Sequence, residues 1–354
     1  MAPLRLSLAC WDYDRVKAIE DGRVKPEGIE LTFLNLRVEE TFFRQLRYQE
    51  FDVSEMSLSS YVLTLNGPEP PFFALPVFPS RMFRHQSIYV NLKAGIQSPA
   101  DLAGRRIGTP EFQMTAPVWQ RGILEDEYGL KYDAPQYLTG NVEPSAIERT
   151  EKVPLKLADS VMIGPIPKGK CLAQMLADGE IDALESATAP STFGTHPDVG
   201  RLFPNAKEVE QGASPNQLIP SSYSSHCSAD YFKRTGVFPI MHVIAIKRSV
   251  LKDNPWVAQS LTKAFASSLE YAYDAIHERA ALRYILPWMQ FHVEETQAAL
   301  CANGNEKWWQ DGLTEGNMRT LDKFLEYSFK QGLAKKRWQV KELFAPGSLE
   351  AFVV

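Results

Sequence analysis

The sequence of 354 residues contains few cysteines, and none of them forms a close pair. They stand at positions 10, 171, 227 and 301, with no CxxC motif, and the chain carries no N-x-S/T sequon. These absences exclude a dense disulfide framework and a cysteine-rich zinc site. Four isolated thiols suit a reducing compartment, so we expect a cytoplasmic protein.

Long apolar runs are also missing. The chain begins MAPLRLSLACWDYD, where Ser7 interrupts the apolar run and Asp12 ends it. A signal peptide needs about 7–15 apolar residues after a basic start, so this segment fits a first β-strand better. IMHVIAI at 240–246 is among the longest apolar runs and falls far short of the ~18 residues of a membrane span. We therefore expect no membrane partner.

An excess of positive charge is likewise absent. Lysine and arginine number 38 against 43 aspartates and glutamates, which gives a net charge of −5. A nucleic-acid-binding protein normally shows a basic face, so nucleic acid is not an expected partner. Hydrophobic residues make up 44% and charged residues 23%, as in ordinary globular proteins. At roughly 150 residues per domain, the length favours about two domains.

Short β-type runs alternate with helical runs along the chain. LRLSLAC and IELTFLNL read as strands, and the periodic stretch 254–285 predicts one long helix. Such alternation is typical of an α/β fold. Four tryptophans in the last quarter fit either core packing or a subunit contact, so a homo-oligomer stays open: Trp288, Trp308, Trp309 and Trp338.

One segment imitates a phosphate-binding loop. GPIPKGKC at 164–171 matches most of the GxxxxGK pattern, but Cys171 stands where the pattern needs serine or threonine. Pro165 and Pro167 remove two backbone donors, which favours a plain loop leading into a helix. We expect no cofactor and no metal; a metal site using His85 or His242 is the less favoured alternative.

Several segments resemble type II periplasmic-binding-protein folds. They are FDVSEMSLSSYV, SPADLAGRRIGTPEF, MLADGEIDALESATAP and GVFPIMHVIAIKRSVLKDNPWV. Three more particular stretches, RHQS at 84–87, EFQMTAPVW and FPIMHVIAIKR, resemble the 4,5-dihydroxyphthalate decarboxylase family. That family consists of enzymes built on a solute-binding-protein fold, and the resemblance covers nearly the whole chain.

The resemblance implies an α/β architecture of two lobes around a cleft. The first lobe would hold 1–90 and 247–354, and the second would hold 91–246. Ligands of open α/β sheets bind beyond the carboxyl ends of strands. The resemblance therefore implies that four strand-end turns converge on the ligand: 11–15, 55–59, 109–115 and 185–188.

The resemblance also implies the reaction, a cofactor-independent loss of CO2 from 4,5-dihydroxyphthalate that gives protocatechuate, in phthalate catabolism. A hydroxyl para to the carboxylate supplies the electrons, so the ring carbon can be protonated before the bond breaks. The enzyme needs an acid for that carbon, a stabiliser at the phenol and an anchor for the remaining carboxylate. Histidine suits the first task and arginine the last.

Five residues are candidates for these tasks. RMFRHQS offers Arg84 and Arg81 as carboxylate-binding residues and His85 as acid or orienting group; the alternative is a surface arginine beside a packed histidine. His242 interrupts an apolar strand and is either catalytic or a core histidine. Glu185 ends a strand, where it would accept the phenol proton or orient a histidine; the alternative is a helix cap or an inter-lobe salt bridge.

Five further residues are candidates for substrate contact. Thr115 is a predicted helix N-cap, and helix N-termini bind anions. Ser57 and Ser59 could do the same, with plain capping as the alternative for all three. Trp11 would stack on an aromatic ring or pack in the core, and Phe112 would line a dry wall beside the departing carboxylate.

Two other functions remain alternatives. The first is a solute-binding protein that delivers an aromatic or dicarboxylate ligand to an ABC-type transporter. The lack of a leader-like start and of a lipobox-like cysteine favours the enzyme instead. The second is an enzyme of the same fold with different chemistry, such as pyrimidine-precursor synthesis, which would need a Cys/His cluster that the sequence does not show.

Overall fold

The structure is a computed structural model that describes residues 2–147, 149, 152–203, 224–301 and 307–349, with the backbone alone at 224–226. Two sheets account for their strands. The first sheet contains β1 (Leu4–Cys10), β2 (Ile29–Asn35), β3 (Val53–Ser57), β4 (Phe72–Arg81) and β11 (Ile240–Lys247). The second contains β5 (Ile88–Asn91), β6 (Arg106–Thr109), β7 (Gln136–Thr139), β8 (Met162–Pro165), β9 (Ala183–Glu185) and β10 (Val199–Arg201).

The helices alternate with these strands, which confirms the α/β class. They are α1 (Lys17–Glu20), α2 (Val38–Tyr48), α3 (Leu58–Thr64), α4 (Thr115–Tyr128), α5 (Leu172–Ala177), α6 (Ser224–Thr235), α7 (Arg248–Asp253), α8 (Val257–His277), α9 (Met289–Leu300) and α10 (Glu315–Lys330). The long helix α8 ends at His277, because Glu278 takes an extended backbone, rather than continuing to 285 as the periodicity predicts. Within the described residues, no helix is long and apolar enough to cross a bilayer.

The first sheet has the strand order β2-β1-β3-β11-β4. β1 runs parallel to β2 and β3, whereas β11 runs antiparallel to β3 and β4. All five residues of β3 are buried, as expected for a central strand covered on both faces. The carboxyl ends of β1 and β3 and the amino end of β11 therefore lie at one edge of this sheet.

Apolar residues of β1 hold that sheet against helix α8. Leu6, Leu8 and Cys10 alternate along the strand and belong to one buried cluster. Val257, Leu261 and Phe265 of α8 belong to the same cluster. The alternating pattern of LRLSLAC thus fixes which face of β1 enters the core.

The second sheet has the order β10-β5-β9-β6-β7-β8. Its strands β9, β6, β7 and β8 run parallel to one another, whereas β5 is antiparallel to both β9 and β10. A separate apolar cluster packs here around helix α5, with Leu172, Leu176, Ile181 and Leu184 buried.

The chain divides into two compact units, each with one sheet. Unit 1 comprises 1–81, 236–322 and 338–354, and unit 2 comprises 82–235 and 323–337. These boundaries differ from the predicted 90/91 and 246/247. The reason is strand pairing, since β5 pairs with β9 and β10 in the second sheet and β11 pairs with β3 and β4 in the first.

A second difference concerns the segment 323–337, which the sequence places with the first lobe but the structure places in unit 2. Phe324 and Tyr327 pack on Trp119 of α4, with ring centroids 5.4 and 5.6 Å apart. Gly122 makes room for this contact, because a Cβ there would overlap the Tyr327 ring.

Candidate active site

A histidine and a glutamate meet on neighbouring strands of the first sheet. His242 of β11 lies opposite Ser57 of β3, and Ile244 lies opposite Glu55. Side chains two residues apart on a strand share a face, so His242 and Glu55 are diagonal neighbours. The distance from His242 Nδ1 to Glu55 Oε1 is 2.6 Å.

Glu55 accepts hydrogen bonds on both oxygens. Tyr13 donates its hydroxyl to Oε1 at 2.7 Å, and the Trp11 backbone N–H donates to Oε2 at 3.2 Å. Burial alone would raise the pKa of this carboxyl, but the charge of His242 and these donors outweigh burial and hold the pKa below its usual range. Glu55 is therefore a carboxylate, and it accepts the Nδ1 proton of His242.

His242 is the member of this cluster that can exchange a proton with a ligand. Its side chain is 16% exposed, whereas that of Glu55 is fully buried. The edge of the Phe42 ring packs on the imidazole at 4.9 Å between centroids. With Nδ1 committed to Glu55, Nε2 carries the chemistry, and in the described part of the chain no residue hydrogen-bonds it. A carboxylate that orients an imidazole in this way stabilises the protonated ring.

Tyr13 acts as a donor within the same cluster. Burial and the neighbouring Glu55 carboxylate raise the pKa of its phenol well above the usual value. The hydroxyl therefore stays protonated at any physiological pH and donates to Oε1, the same carboxylate oxygen that His242 Nδ1 contacts.

Arg15 lies over the ring of Tyr13. Its guanidinium carbon is 4.2 Å from the centroid of Tyr13 and 4.3 Å from that of Trp309. Nε donates to the carbonyl of Pro79, and Nη1 donates to Asp14 at 2.9 Å. In unit 1, Tyr13 therefore contacts both the Arg15 cation and the Glu55 carboxylate that pairs with His242.

Arg81, a predicted substrate-binding residue, is enclosed in unit 1. Its Nη2 donates to the Gln310 carbonyl at 3.0 Å and to the Asn317 side chain. Burial lowers the pKa of the guanidinium to about 10. These contacts tie the end of β4 to the segment 310–317, and substrate binding by Arg81 stays a prediction.

His85 and Arg84 lie in unit 2, next to each other but in different surroundings. The His85 ring packs between Phe203 and Tyr231, and its Nδ1 lies 3.4 Å from Ser228 Oγ. Burial, helped by the charge of Arg234, lowers the pKa of His85 to about 4. At neutral pH the ring is uncharged, which favours the packed-histidine alternative over the acid.

Arg84 is buried, and its Nη1 donates to the Ala187 carbonyl at 3.1 Å. Burial lowers the pKa of its guanidinium to about 10. Since this pKa stays far above neutrality, Arg84 keeps its charge, and its role as carboxylate anchor stays a prediction.

Glu185 forms a buried ion pair inside unit 2. Its Oε2 lies 3.2 Å from Arg121 Nη1, and each side chain is 1% exposed. Burial raises the pKa of Glu185 to about 7, although the charge of Arg121 opposes the shift. Arg121 also donates to the carbonyl of Phe112 and covers the Phe112 ring. The ion pair lies within unit 2, so it is not the inter-lobe salt bridge that the sequence left as an alternative, and Phe112 is part of the unit 2 core.

The remaining predicted ligand contacts lie at helix starts or beside Glu55. Ser57 is the N-cap of α3 and accepts from the Ser60 N–H at 3.4 Å, and Ser59 is fully buried in the same helix. Thr115 is the first residue of α4 rather than its N-cap, which is Met114. Trp11 is half-buried beside Glu55. Ligand contact by these four residues stays a prediction.

Sequence reasoning named His242 as a candidate, whereas Glu55, Tyr13 and Arg15 fell within the predicted ligand-binding turns 55–59 and 11–15 without being named individually. A signal for Glu55 existed, because it is a charged residue within the buried strand VSEMS. No local pattern indicates its partner, since 187 positions separate Glu55 from His242. For a metal, no group of three or more His, Cys, Asp or Glu side chains in the described residues has suitable geometry.

Comparison with known proteins gives two relatives and a fold. No protein-family model matches the chain. A 4,5-dihydroxyphthalate decarboxylase of Comamonas testosteroni is 37% identical over 355 residues, which is the full length of both chains. Another from Pseudomonas putida is 42% identical over 229 residues, covering 64% of this chain and 86% of that protein.

The crystal structure of the periplasmic aliphatic sulphonate binding protein SsuA from Escherichia coli matches with a TM-score of 0.52 and 10% identity. The match covers 98% of this chain and 99% of that chain. It confirms the periplasmic-binding-protein-like fold that the sequence motifs indicate.

Proposed function

We propose, from the premise that this chain belongs to the 4,5-dihydroxyphthalate decarboxylase family, that it converts 4,5-dihydroxyphthalate to protocatechuate and CO2. Membership makes the chain a carboxy-lyase. The observation that supports a specific mechanism is the 2.6 Å contact between His242 and Glu55 at the edge of the first sheet.

In the proposed mechanism, His242 delivers a proton from Nε2 to the ring carbon that bears the departing carboxylate. The hydroxyl para to that carbon supplies the electron pair and gives up its proton to solvent, so a dienone forms rather than a bare carbanion. The bond to the carboxylate then breaks, CO2 leaves, and the bonding electrons restore the aromatic ring as a phenolate, which takes a proton back from solvent. The reaction consumes one proton, which His242 regains from solvent.

Glu55 is a positioning residue in this scheme. It accepts the Nδ1 proton, so that Nε2 is the atom that gains and delivers the exchangeable proton, and its charge stabilises the protonated imidazole. Positioned proton transfer of this kind contributes roughly 10²- to 10⁴-fold to a rate. Since the substrate's own hydroxyl supplies the electrons, we propose that no cofactor takes part.

We further propose that the enzyme works in the cytoplasm, in the breakdown of phthalate-type aromatic acids. All four cysteines lie within the described residues, and the structure gives them as thiols. This chemistry suits a reducing compartment.

The experiment that tests the function measures CO2 released by purified, chelator-treated protein from 4,5-dihydroxyphthalate and identifies the product. We expect protocatechuate and CO2 in equal amounts without added metal. Phthalate, which lacks the hydroxyls, should not react. 4-Hydroxyphthalate should give 3-hydroxybenzoate, because only one of its carboxylates is para to a hydroxyl.

Two results would contradict the proposal. Turnover that appears only when a metal is restored would refute the cofactor-free route. No turnover under any condition, together with a ligand-induced rise in melting temperature, would instead support a solute-binding protein.

A further inference from the structure

Arg15 is a cation held rigidly at the same edge of the first sheet as His242. Its guanidinium lies between the rings of Tyr13 and Trp309, at 4.2 and 4.3 Å from their centroids. Nε is fixed by the Pro79 carbonyl. An arginine stacked between two rings loses little freedom when it binds a ligand, so it is preorganised as an anion-binding group.

Only some of the N–H donors of this guanidinium have hydrogen-bond partners among the described residues. The side chain is 18% exposed, and Nη1 pairs with Asp14, whose side chain is 41% exposed. Nη2 has no hydrogen-bond partner among the residues that the structure describes. A surface pair such as Arg15–Asp14 is weak and can be displaced by a better-placed carboxylate.

Arg15 is also linked to the proposed acid, His242, through two residues, Tyr13 and Glu55. The Tyr13 ring that stacks on Arg15 carries the hydroxyl that donates to Glu55 at 2.7 Å, and Glu55 holds His242. A ligand that lies beside His242 Nε2 therefore has Arg15 on the neighbouring loop after β1. Trp309, with Phe238 packed edge-on against it, supplies an aromatic surface beside the cation.

Arg81 does not offer the same donors, although its guanidinium lies 5.9 Å from the same Trp309 ring. It is buried, and its Nη2 donates to neutral acceptors, the Gln310 carbonyl and the Asn317 side chain. Of the two arginines beside Trp309, Arg15 is the one whose donors a ligand can reach.

We propose that Arg15 binds the carboxylate that the substrate keeps, and so selects aromatic acids with a second carboxylate. This inference rests on the proposed function. The departing carboxylate loses its charge in the reaction, so a strong cation on it would favour the ground state. The retained carboxylate keeps its charge throughout, and an arginine fork matches its geometry.

The test compares the binding of three ligands by calorimetry: 4,5-dihydroxyphthalate, protocatechuate and catechol, which carry two, one and no carboxylates. The turnover-deficient His242→Gln background allows binding of the substrate to be measured. In Arg15→Gln, we expect the Kd of the first two ligands to rise by roughly 10- to 100-fold, as for a lost charge-assisted hydrogen bond. Catechol binding should not change.

Two further variants sharpen the test. Arg47→Gln removes an exposed arginine of α2 in the same unit and should leave all three Kd values unchanged. Asp14→Asn removes the competing carboxylate while its side-chain oxygen can still accept from the Arg15 N–H, so both carboxylate ligands should bind a few-fold more tightly. This variant keeps Arg15 in place and tests the proposal even if Arg15→Gln does not fold.

The inference is overturned if Arg15→Gln binds the two carboxylate ligands as tightly as its parent does. It is also overturned if the Kd for catechol rises by the same factor as the other two, because that result would indicate a structural role for Arg15. An unchanged affinity in Asp14→Asn also contradicts it. Failure of the proposed function is separate, because wild-type protein would then release no CO2 from 4,5-dihydroxyphthalate.

Discussion

Glu55 holds His242 from the neighbouring strand, with Nδ1 and Oε1 2.6 Å apart and the carboxylate fully buried. The pair lies where two strands of opposite direction meet, so strand pairing rather than a flexible loop sets the orientation of the imidazole. Rigid elements hold a reacting group more accurately than loops do. The proposed acid is thus built into the sheet.

The orienting role of Glu55 predicts a selective loss of rate. Glu55→Gln keeps the shape of the side chain but removes the negative charge, so kcat should fall by roughly 10- to 1,000-fold with little change in KM. Tyr13→Phe removes one donor to Glu55 and should lower kcat only a few-fold. Steady-state kinetics checks both, with Glu30→Gln, an exposed glutamate of β2, as control. Equal kcat in Glu55→Gln and the control would refute the role.

Because His85 is buried in its neutral form, we expect the free energy of unfolding to depend on pH. Its folded-state pKa of about 4 lies below the ordinary value, so the unfolded chain binds the proton more tightly. The stability that His85 contributes is therefore full above pH ~6.5 and is lost as the pH falls towards 4. Between pH 7.5 and 5.0, wild type should lose about 2 kcal/mol more unfolding free energy than His85→Phe.

Urea denaturation of both proteins at the two pH values measures this difference, and effects of other groups cancel in the comparison. An identical pH dependence in wild type and His85→Phe would show that the ring is not buried in its neutral form.

The buried pair of Arg121 and Glu185 predicts strong coupling. Arg121→Met leaves the Glu185 carboxylate buried without its partner and should cost about 3–5 kcal/mol of unfolding free energy. Adding Glu185→Leu removes the stranded charge and should recover part of that loss. Denaturation of the two single variants and the double variant gives the coupling energy, and strictly additive effects would contradict the ion pair. If Glu185 is structural, the folded double variant keeps CO2 release.

Gly122 tests the assignment of 323–337 to unit 2. In Gly122→Ala the new methyl group would overlap the Tyr327 ring, so the unfolding free energy should fall by roughly 1–3 kcal/mol. Gly164→Ala is the matched control, because a Cβ at that position meets no atom within 4 Å. Equal stability of the two variants would mean that Tyr327 does not pack on α4 as described.

The fold could be predicted from the sequence because its signals are local. Alternating LRLSLAC forms β1, and the apolar run IMHVIAI forms most of β11. Unit membership could not be predicted equally well, since it depends on which strands pair. The packing of Phe324 and Tyr327 on Trp119 joins residues about 200 positions apart, and no periodicity records that contact.

The candidate site, like the fold, could be predicted only in part from the sequence. His242 stands out as one polar residue in an apolar strand, and the structure places it beside a carboxylate. His85 looks equally promising in RMFRHQS, but Phe203 and Tyr231 enclose it, and both come from distant segments. Arg15 lies in the predicted turn 11–15, but its stacking on Trp309 could not be predicted, because Trp309 lies almost at the other end of the chain.

The most direct measurement of the central claim is the initial rate of CO2 release from 4,5-dihydroxyphthalate by His242→Gln and His85→Phe, side by side with wild type. With His242 as the acid, His242→Gln should lose at least about 100-fold in kcat, whereas His85→Phe should stay within a few-fold of wild type. The reverse order, with His242→Gln active and His85→Phe inactive, would contradict the account and return the acid to unit 2.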